Sequence, residues 1–309
     1  PAVRGILWSA SPAIVGLAVM HLNTLSDGVM AWLLSSSTEQ RISWLAGAAY
    51  PMQSGAASAI YLGQRLLMFP QGLIGSAVAT VFFPLLSRHA ALGDRGRLGE
   101  DLTLGLRLVI VLGGPAGAGL VLLAGPITRL LFQRGEFTVD DAQRTTAVIA
   151  CYGLGVLAFC AAPILVRGFY ALNDRRTPLR IGGIAVLLNL VLNAALLWPW
   201  GEAGLAAATA VSASLQCLCL LAVLASQVKL LWRELIWTGL RAAAATLVMS
   251  LVVAWAVAAW PAKGLLHSRV LAVLVPLLLA QLAYFAVLAV VGAPELRELR
   301  AARQTDEGA

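Results

Sequence analysis

The sequence predicts an all-α protein, built as a polytopic bundle of transmembrane helices. Of its 309 residues, 60% are hydrophobic and only 12% are charged, and its mean hydropathy is +0.83. Soluble domains carry about 25% charged residues, so a soluble fold is excluded. Apolar runs long enough to cross a bilayer, which takes about 20 residues, recur along the chain.

We predict eight such spans, separated by short polar segments. Each is close to or above the length that a transmembrane helix needs. Their approximate bounds are 6–34, 59–86, 102–131, 142–170, 179–198, 204–225, 235–260 and 270–291.

The basic residues lie in the short segments between spans and act as topology signals. With the N-terminus inside, segments on the cytoplasmic side carry about twice as many Lys and Arg residues as the outer ones, which predicts that both ends are cytoplasmic. Nucleic-acid binding is a poor explanation for charges distributed in this way. The four cysteines fall inside apolar runs without metal-type spacing, so neither a disulfide framework nor a zinc site is predicted.

The second span combines a charge with helix-breaking residues. Arg65 lies inside it, and Pro70, Gly72 and Gly75 interrupt it. A cation at membrane depth is costly unless it faces protein or water, and a broken helix needs neighbours that satisfy its backbone. A polar path through the bilayer is one interpretation. The alternatives are an arginine that extends to the interface and small residues that serve helix packing.

A second set of polar residues lies at membrane depth. Asp27 is an acidic residue inside the first span, Asn189 and Asn193 are one turn apart on the fifth, and Thr209 is on the sixth. A carboxylate at depth requires a partner, for which a cation or a proton is a candidate. Hydrogen bonding between helices is the alternative.

Two helix starts are predicted from capping residues. Thr138 with Asp141 three residues later makes a capping box. Thr177 is expected to cap the fifth span, with Pro178 at its first helical position.

Three motifs follow one another along the chain. They are Tyr61-x-x-x-Arg65-Leu66-x-x-x-Pro70-x-Gly72-x-x-Gly75 continuing to Phe83-Pro84-x-Leu86-Ser87-Arg88-His89, then Leu131-Phe132-Gln133-Arg134-Gly135-Glu136-Phe137, then Gly168-Phe169-Tyr170-x-x-x-Asp174-x-x-Thr177-Pro178. In these motifs the chain resembles the MurJ/MviN family of lipid II flippases. Residues 12–27 are similar to that family's seventh span, and the resemblance covers at least residues 12–291.

The resemblance implies a domain organisation. Family members have fourteen spans in two lobes plus two trailing helices, and the eight spans here would be the seventh to the fourteenth. Residues 1–225 would form the six-span C-terminal lobe, 226–294 two additional transmembrane helices and 295–309 a cytoplasmic tail. The N-terminal six-span lobe, absent from this sequence, would be a partner.

The resemblance also implies a function. The protein would move undecaprenyl-pyrophosphate-linked peptidoglycan precursor across the bacterial cytoplasmic (inner) membrane by alternating access. No arrangement of nucleophile and base suggests an enzyme. An exporter of another polyprenyl-linked oligosaccharide, a multidrug antiporter of the same superfamily and a non-transporting envelope scaffold remain alternatives.

By resemblance, Arg65 would face a central cavity and pair with the diphosphate, with Gln64 beside it, and Pro70, Gly72 and Gly75 would form a hinge. Some members are similar in having a sodium site that Asp27, Asn189, Asn193 and Thr209 would match. An asparagine stands where other members have an acid, which weakens the binding of a cation. No other cofactor is expected.

Overall fold

The computed structural model describes residues 23–36, 41–42, 48–259 and 269–291, which fold mainly into helices. Most of the predicted first span and the predicted tail 295–309 lie outside these residues. The helices are α1 (23–33), α2 (Ala56–Pro70), α3 (Ala77–Ala91), α4 (Arg95–Leu131), α5 (Val139–Ala171), α6 (Arg176–Gln227), α7 (Trp232–Ala258) and α8 (Leu271–Val290).

Two pairs of very short strands lie between α1 and α2. Strand β1 (Ser35–Ser36) pairs in parallel with β4 (Met52–Gln53), and β2 (Arg41–Ile42) pairs in antiparallel fashion with β3 (Ala48–Ala49). Among the described residues, six continuous helical stretches are long and apolar enough to cross a membrane. The predicted all-α membrane bundle is therefore confirmed.

Helix α6 folds back on itself. A straight helix of 52 residues would be about 78 Å long, far more than a bilayer. Gly201 interrupts it with φ 55° and ψ −133°, values that glycine tolerates because it lacks a Cβ. Asn189 Nδ2 lies 3.1 Å from Thr209 Oγ1, although a straight helix would separate these residues by about 30 Å. α6 is thus two antiparallel helices, α6a (176–200) and α6b (202–227), and the turn falls between the predicted spans 179–198 and 204–225.

Helix α5 lies at the centre of the bundle. In its most apolar stretch 61% of the residues are buried, against 22–33% in the other membrane-length helices. Glycines allow its neighbours to approach closely: a Cβ added at Gly75 would lie 2.9 Å from Cys160 Cα, and one added at Gly155 would lie 3.1 Å from Ala210 Cα. α5 therefore contacts both the α2–α3 stretch and α6b directly.

Helices α7 and α8 attach to the rest of the bundle through α4. The Arg107 guanidinium of α4 donates to Glu234 at 2.9 Å and to Thr238 at 3.2 Å, both on α7. The Tyr284 hydroxyl of α8 donates to the Val111 carbonyl of α4 at 2.5 Å. Apolar side chains of the three helices pack around the contact between Tyr284 and Val111.

The two predicted helix caps have different outcomes. The capping box of Thr138 and Asp141 is confirmed, with hydrogen bonds in both directions. The predicted Thr177 cap is wrong, because α6 begins at Arg176, two residues before the predicted first helical position, Pro178. Asp174 Oδ1 instead accepts from the backbone N–H groups of Arg176 (3.1 Å) and Thr177 (3.0 Å). A carboxylate placed before the first turn satisfies donors that have no partner within the helix.

Candidate functional site

Four polar side chains meet in the interior between α1 and the two halves of α6. Asp27 lies on α1, Asn189 and Asn193 on α6a, and Thr209 on α6b. The first three are fully buried and Thr209 is 7% exposed. We call these four residues the Asp27 cluster.

Hydrogen bonds connect the whole cluster. Each oxygen of the Asp27 carboxylate accepts one bond, from Asn193 Nδ2 at 2.7 Å and from Thr209 Oγ1 at 2.8 Å. Asn193 Nδ2 also donates to Asn189 Oδ1 at 3.0 Å, and Asn189 Nδ2 donates to Thr209 Oγ1 at 3.1 Å. Ser212, which sequence reasoning missed, accepts a further bond from Asn189 at 3.3 Å. Its position one turn after Thr209 was the available signal.

The side-chain oxygen atoms of the cluster are suitable ligands for a small singly charged cation. Asn193 Oδ1 is buried and has no hydrogen-bond partner among the described residues. Asp27 likewise forms no ion pair with any residue that the structure describes. Carboxylate, amide and hydroxyl oxygens are the ligands that hard cations prefer. With one acid and no group of three His, Cys, Asp or Glu residues in the described ranges, the site is poorly suited to a divalent or transition metal.

Arg65 lies on the exposed face of α2, nine residues and about 14 Å beyond its first residue. Its Nη2 donates to the Tyr61 hydroxyl at 2.7 Å, and its guanidinium carbon lies 4.9 Å from the centre of the Tyr61 ring. Large apolar side chains share this face, including Phe69 and Leu73, which are 73% and 64% exposed. Arg65 is therefore a cation on an otherwise largely apolar surface, and within the described ranges its bond to Tyr61 leaves most of its five N–H donors without an acceptor.

Gln64 points toward the bundle and away from Arg65's face. Its Nε2 donates to the hydroxyl of Tyr152 on α5 at 3.3 Å. Adjacent helical residues are about 100° apart around the axis, so Arg65 can face outward while Gln64 faces α5. The structure thus separates the pair that the sequence suggested for the substrate, and it reveals Tyr152 as a residue that sequence reasoning missed.

The three predicted hinge residues lie at a single irregularity of the helix. Directly after Pro70 the chain adopts a π-helix over Gln71–Ser76 before α3 begins. Proline offers no N–H to the preceding turn, and π-helical turns are frequent at functional sites. Gly75 packs against the Cys160 backbone, whereas Gly72 is exposed and a Cβ there would meet no atom within 4 Å. A hinge role for these residues stays a prediction.

An ion-pair network at the turn of α6 was also missed. The Arg144 guanidinium contacts Asp140 at 3.2 Å, Asp141 at 2.5 Å and Glu202 at 3.1 Å, and it donates to the Ser54 carbonyl at 3.2 Å. Asp140 and Asp141 lie one turn before Arg144 on α5, a spacing that the sequence shows, whereas Glu202 and Ser54 are 58 and 90 residues away, so no local pattern could have linked them. The network fastens the starts of α2, α5 and α6b to one another.

A cavity of about 320 Å³ opens beside this network, lined by residues that include Gln53, Trp198 and Trp200. It neither contains Arg65 nor borders the Asp27 cluster. Its arginine, Arg144, is already paired with three carboxylates. Arg65 is consequently the better candidate for binding an anion.

Comparison with known proteins identifies the chain's relatives. The family model described as "Lipid II flippase MurJ" matches residues 1–275. A probable lipid II flippase MurJ of Vibrio cholerae is 35% identical over 308 residues, which cover 98% of this chain and 55% of that protein. The chain thus spans about half the length of the curated relatives that it matches.

Solved structures support the same fold. A lipid II flippase MurJ in an inward closed conformation superposes with a TM-score of 0.63 at 22% identity, covering 77% of this chain and 47% of that one. An outward-facing multidrug resistance MATE family transporter of the MOP superfamily gives a TM-score of 0.55 at 15% identity, covering 95% and 66%. At these identities the likeness shows the fold alone. On the strength of the family model and its sequence relatives, the chain belongs to the MurJ family of lipid II flippases.

Proposed function

We propose that this chain forms one lobe of a lipid II flippase and that Arg65 binds the pyrophosphate of the lipid-linked peptidoglycan precursor. Membership of the family and the names of the relatives support this activity. The task is transport, so no covalent bond changes. The charged head group cannot cross hydrocarbon unaided and needs a hydrated cationic route, while the polyprenyl tail can stay in lipid.

The observation that carries the proposal is the position of Arg65. A guanidinium facing hydrocarbon costs on the order of 3 kcal/mol, so this face of α2 requires a hydrated or protein-lined surrounding. A second lobe facing α2 would provide it, and the greater length of the relatives is compatible with such a lobe. The planar guanidinium offers paired N–H donors that match two phosphate oxygens at once.

The π-helical segment supplies a candidate hinge for alternating access. It begins directly after Pro70, six residues or somewhat less than two turns beyond Arg65. Gly72 is unconstrained by contacts, and Gly75 anchors the segment on α5. Bending at this point would reorient Arg65 with respect to a facing lobe while α3 stays in place.

The Asp27 cluster would hold a sodium ion through the carboxylate of Asp27 and the side-chain oxygens of Asn189, Asn193 and Thr209. The unpartnered Asn193 oxygen supports this assignment. When bound, the ion would neutralise the buried carboxylate. The cluster itself joins α1 to both halves of α6 by its hydrogen bonds.

The proposed arrangement in the bacterial inner membrane has eight spans. The α2–α3 stretch counts as one span, α6 counts as two, and α4, α5, α7 and α8 supply four more. The remaining one is the predicted first span 6–34, of which α1 is the part that the structure describes. By the distribution of Lys and Arg, both ends lie in the cytoplasm. Residues 1–225 form the lobe, and the helices within 226–294 pack outside it on α4.

Complementation tests the role of Arg65. Arg65→Ala in the gene's complete product should abolish growth of a bacterium depleted of its own flippase and stop exposure of the precursor on the outer leaflet. Arg65→Lys keeps the charge but not the forked donors, so it should restore only part of the activity.

Arg233→Ala is the matched control, because Arg233 is exposed at the start of α7, away from the proposed site. It should support normal growth. Membrane levels of all variants are compared by immunoblot. Normal growth with Arg65→Ala at equal membrane levels would refute the assignment.

A further inference from the structure

Tyr152 lies at the middle of α5 and is completely buried. Its hydroxyl accepts the hydrogen bond from Gln64 Nε2 at 3.3 Å. A phenylalanine would fill nearly the same volume in an apolar interior, so the feature that distinguishes tyrosine here is its hydroxyl. Buried tyrosines generally use that group to hold a polar partner.

On one side Tyr152 holds the turn of α2 that carries Arg65. A Cβ added at Gly63 would lie 3.0 Å from the Tyr152 ring, so the backbone of α2 rests on this side chain. Gln64 adds the polar contact, and Arg65 is the next residue. Any shift of the Tyr152 hydroxyl therefore acts on the helix turn that aims the guanidinium.

One turn further along, α5 packs on α6b, the helix that carries Thr209 of the Asp27 cluster. Gly155, one turn after Tyr152, packs against Ala210, and a Cβ added at Gly155 would lie only 3.1 Å from the Ala210 Cα. Ala210 directly follows Thr209, whose hydroxyl donates to Asp27. One turn of α5 thus separates the contact with Ala210, beside the cluster, from the contact with Gln64.

We propose that Tyr152 is a positioning residue that couples the Asp27 cluster to Arg65, through its hydrogen bond with Gln64. This inference rests on the proposed role of Arg65 as the anion-binding residue. A change in the hydrogen bonds or in the occupancy of the cluster alters the Tyr152–Gln64 bond and so reorients this turn of α2. The π-helical segment beyond Pro70 gives α2 the freedom to respond. Coupling of this kind is reciprocal, so binding of the anion also changes the cluster.

A double-mutant cycle tests the coupling in the purified complete protein. The affinity for undecaprenyl pyrophosphate is measured for the wild type, Asp27→Asn, Tyr152→Phe and the double variant. Asp27→Asn alone should change the affinity by about fivefold or more, the lower range of measured couplings between sites. In the Tyr152→Phe background the same change should shrink to about twofold or less.

Two further variants keep the test decisive. Tyr170→Phe removes an exposed hydroxyl from the same helix and should leave the Asp27→Asn effect unchanged. Gln64→Leu breaks the same hydrogen bond from the other side and should reproduce Tyr152→Phe, which covers the case in which the latter fails to fold.

The outcomes separate this inference from the proposed function. If Arg65→Ala binds undecaprenyl pyrophosphate as tightly as the wild type, the proposed function fails and the coupling with it. If binding depends on Arg65 but Asp27→Asn has no effect, or has equal effects in both backgrounds, the coupling alone is overturned.

Discussion

The hydroxyl of Thr209 provides a direct test of the Asp27 cluster. It donates to Asp27 Oδ2 at 2.8 Å and accepts from Asn189 Nδ2 at 3.1 Å. Thr209→Val preserves the shape of the side chain and removes both bonds at once. One carboxylate oxygen of Asp27, which is fully buried, then loses its hydrogen-bond partner.

The expected loss of stability follows from the two bonds. A hydrogen bond to a charged group contributes about 1.5–3 kcal/mol, and a neutral bond between membrane helices averages about 0.6 kcal/mol. Together they predict a loss of about 2–4 kcal/mol. At roughly 2 °C per kcal/mol for a chain of this size, the melting temperature should fall by about 4–7 °C.

The melting temperature is followed by tryptophan fluorescence of the purified protein in detergent. Thr128→Val is the matched control, because Thr128 is also buried but donates only to the Ala124 carbonyl of its own helix at 2.7 Å. Its melting temperature should fall by about 2 °C or less. Equal falls for the two variants would refute the reasoning, since the Thr209 hydroxyl would then contribute no more than a bond within one helix.

Three further predictions concern packing, capping and orientation. Gly75→Val should lower the melting temperature by several degrees, because its Cβ would lie 2.9 Å from the Cys160 backbone and overpacking costs about 1–3 kcal/mol. Asp174→Ala should cost about 1 kcal/mol by removing the acceptor at the start of α6. In a cysteine-free background, an impermeant maleimide added to intact cells should label Trp200→Cys, at the exposed α6 turn, but not Leu92→Cys, between α3 and α4.

The contribution of Asp174 should also depend on pH. Burial alone would raise the pKa of this carboxyl, but hydrogen bonds from Thr177 and Arg176 outweigh it and hold the pKa below its ordinary value of 3.8. The folded state therefore binds protons less readily than the unfolded state. The stabilisation is complete above about pH 3.8 and is lost as the pH falls through the lowered pKa, so wild type and Asp174→Ala should converge in acid.

Controls accompany each of these predictions. Gly72→Ala should leave the melting temperature unchanged, because a Cβ there meets no atom within 4 Å. Asp174→Asn keeps one acceptor oxygen and should lose less stability than Asp174→Ala. A tolerated Gly75→Val, a constant difference between wild type and Asp174→Ala at every pH, or labelling of Leu92→Cys in intact cells would contradict the respective prediction.

Much of the helix layout could be predicted from the sequence. The spans 179–198 and 204–225 were separable because polar and small residues interrupt the apolar run between them, and Gly201 supplies the reversal. The capping box at Thr138 was readable because its bonds are local. The cap of α6 was assigned to Thr177 instead of Asp174, because both are good acceptors and only the start of the helix distinguishes them.

The candidate site was only partly accessible to the same reasoning. Asp27, Asn193 and Thr209 were recognisable from the sequence, because each is a polar residue inside an apolar run long enough to cross the membrane, where burying a polar group is costly. Their contact depends on long-range packing: Asp27 is separated by 166 residues from Asn193 and by 182 from Thr209.

The sequence by itself determined the membrane class, the approximate spans and the polar residues within them, because transfer into a bilayer depends on the composition of each run. The tertiary structure decided which of these residues meet. In the folded bundle Gln64 faces Tyr152, whereas Arg65 lies on the exposed face of α2. Asp27 accepts hydrogen bonds from both halves of the α6 hairpin. The physical reason is that the periodicity of a helix determines which residues share a face from the local sequence alone. Which other helix packs against that face depends on the packing of the whole bundle.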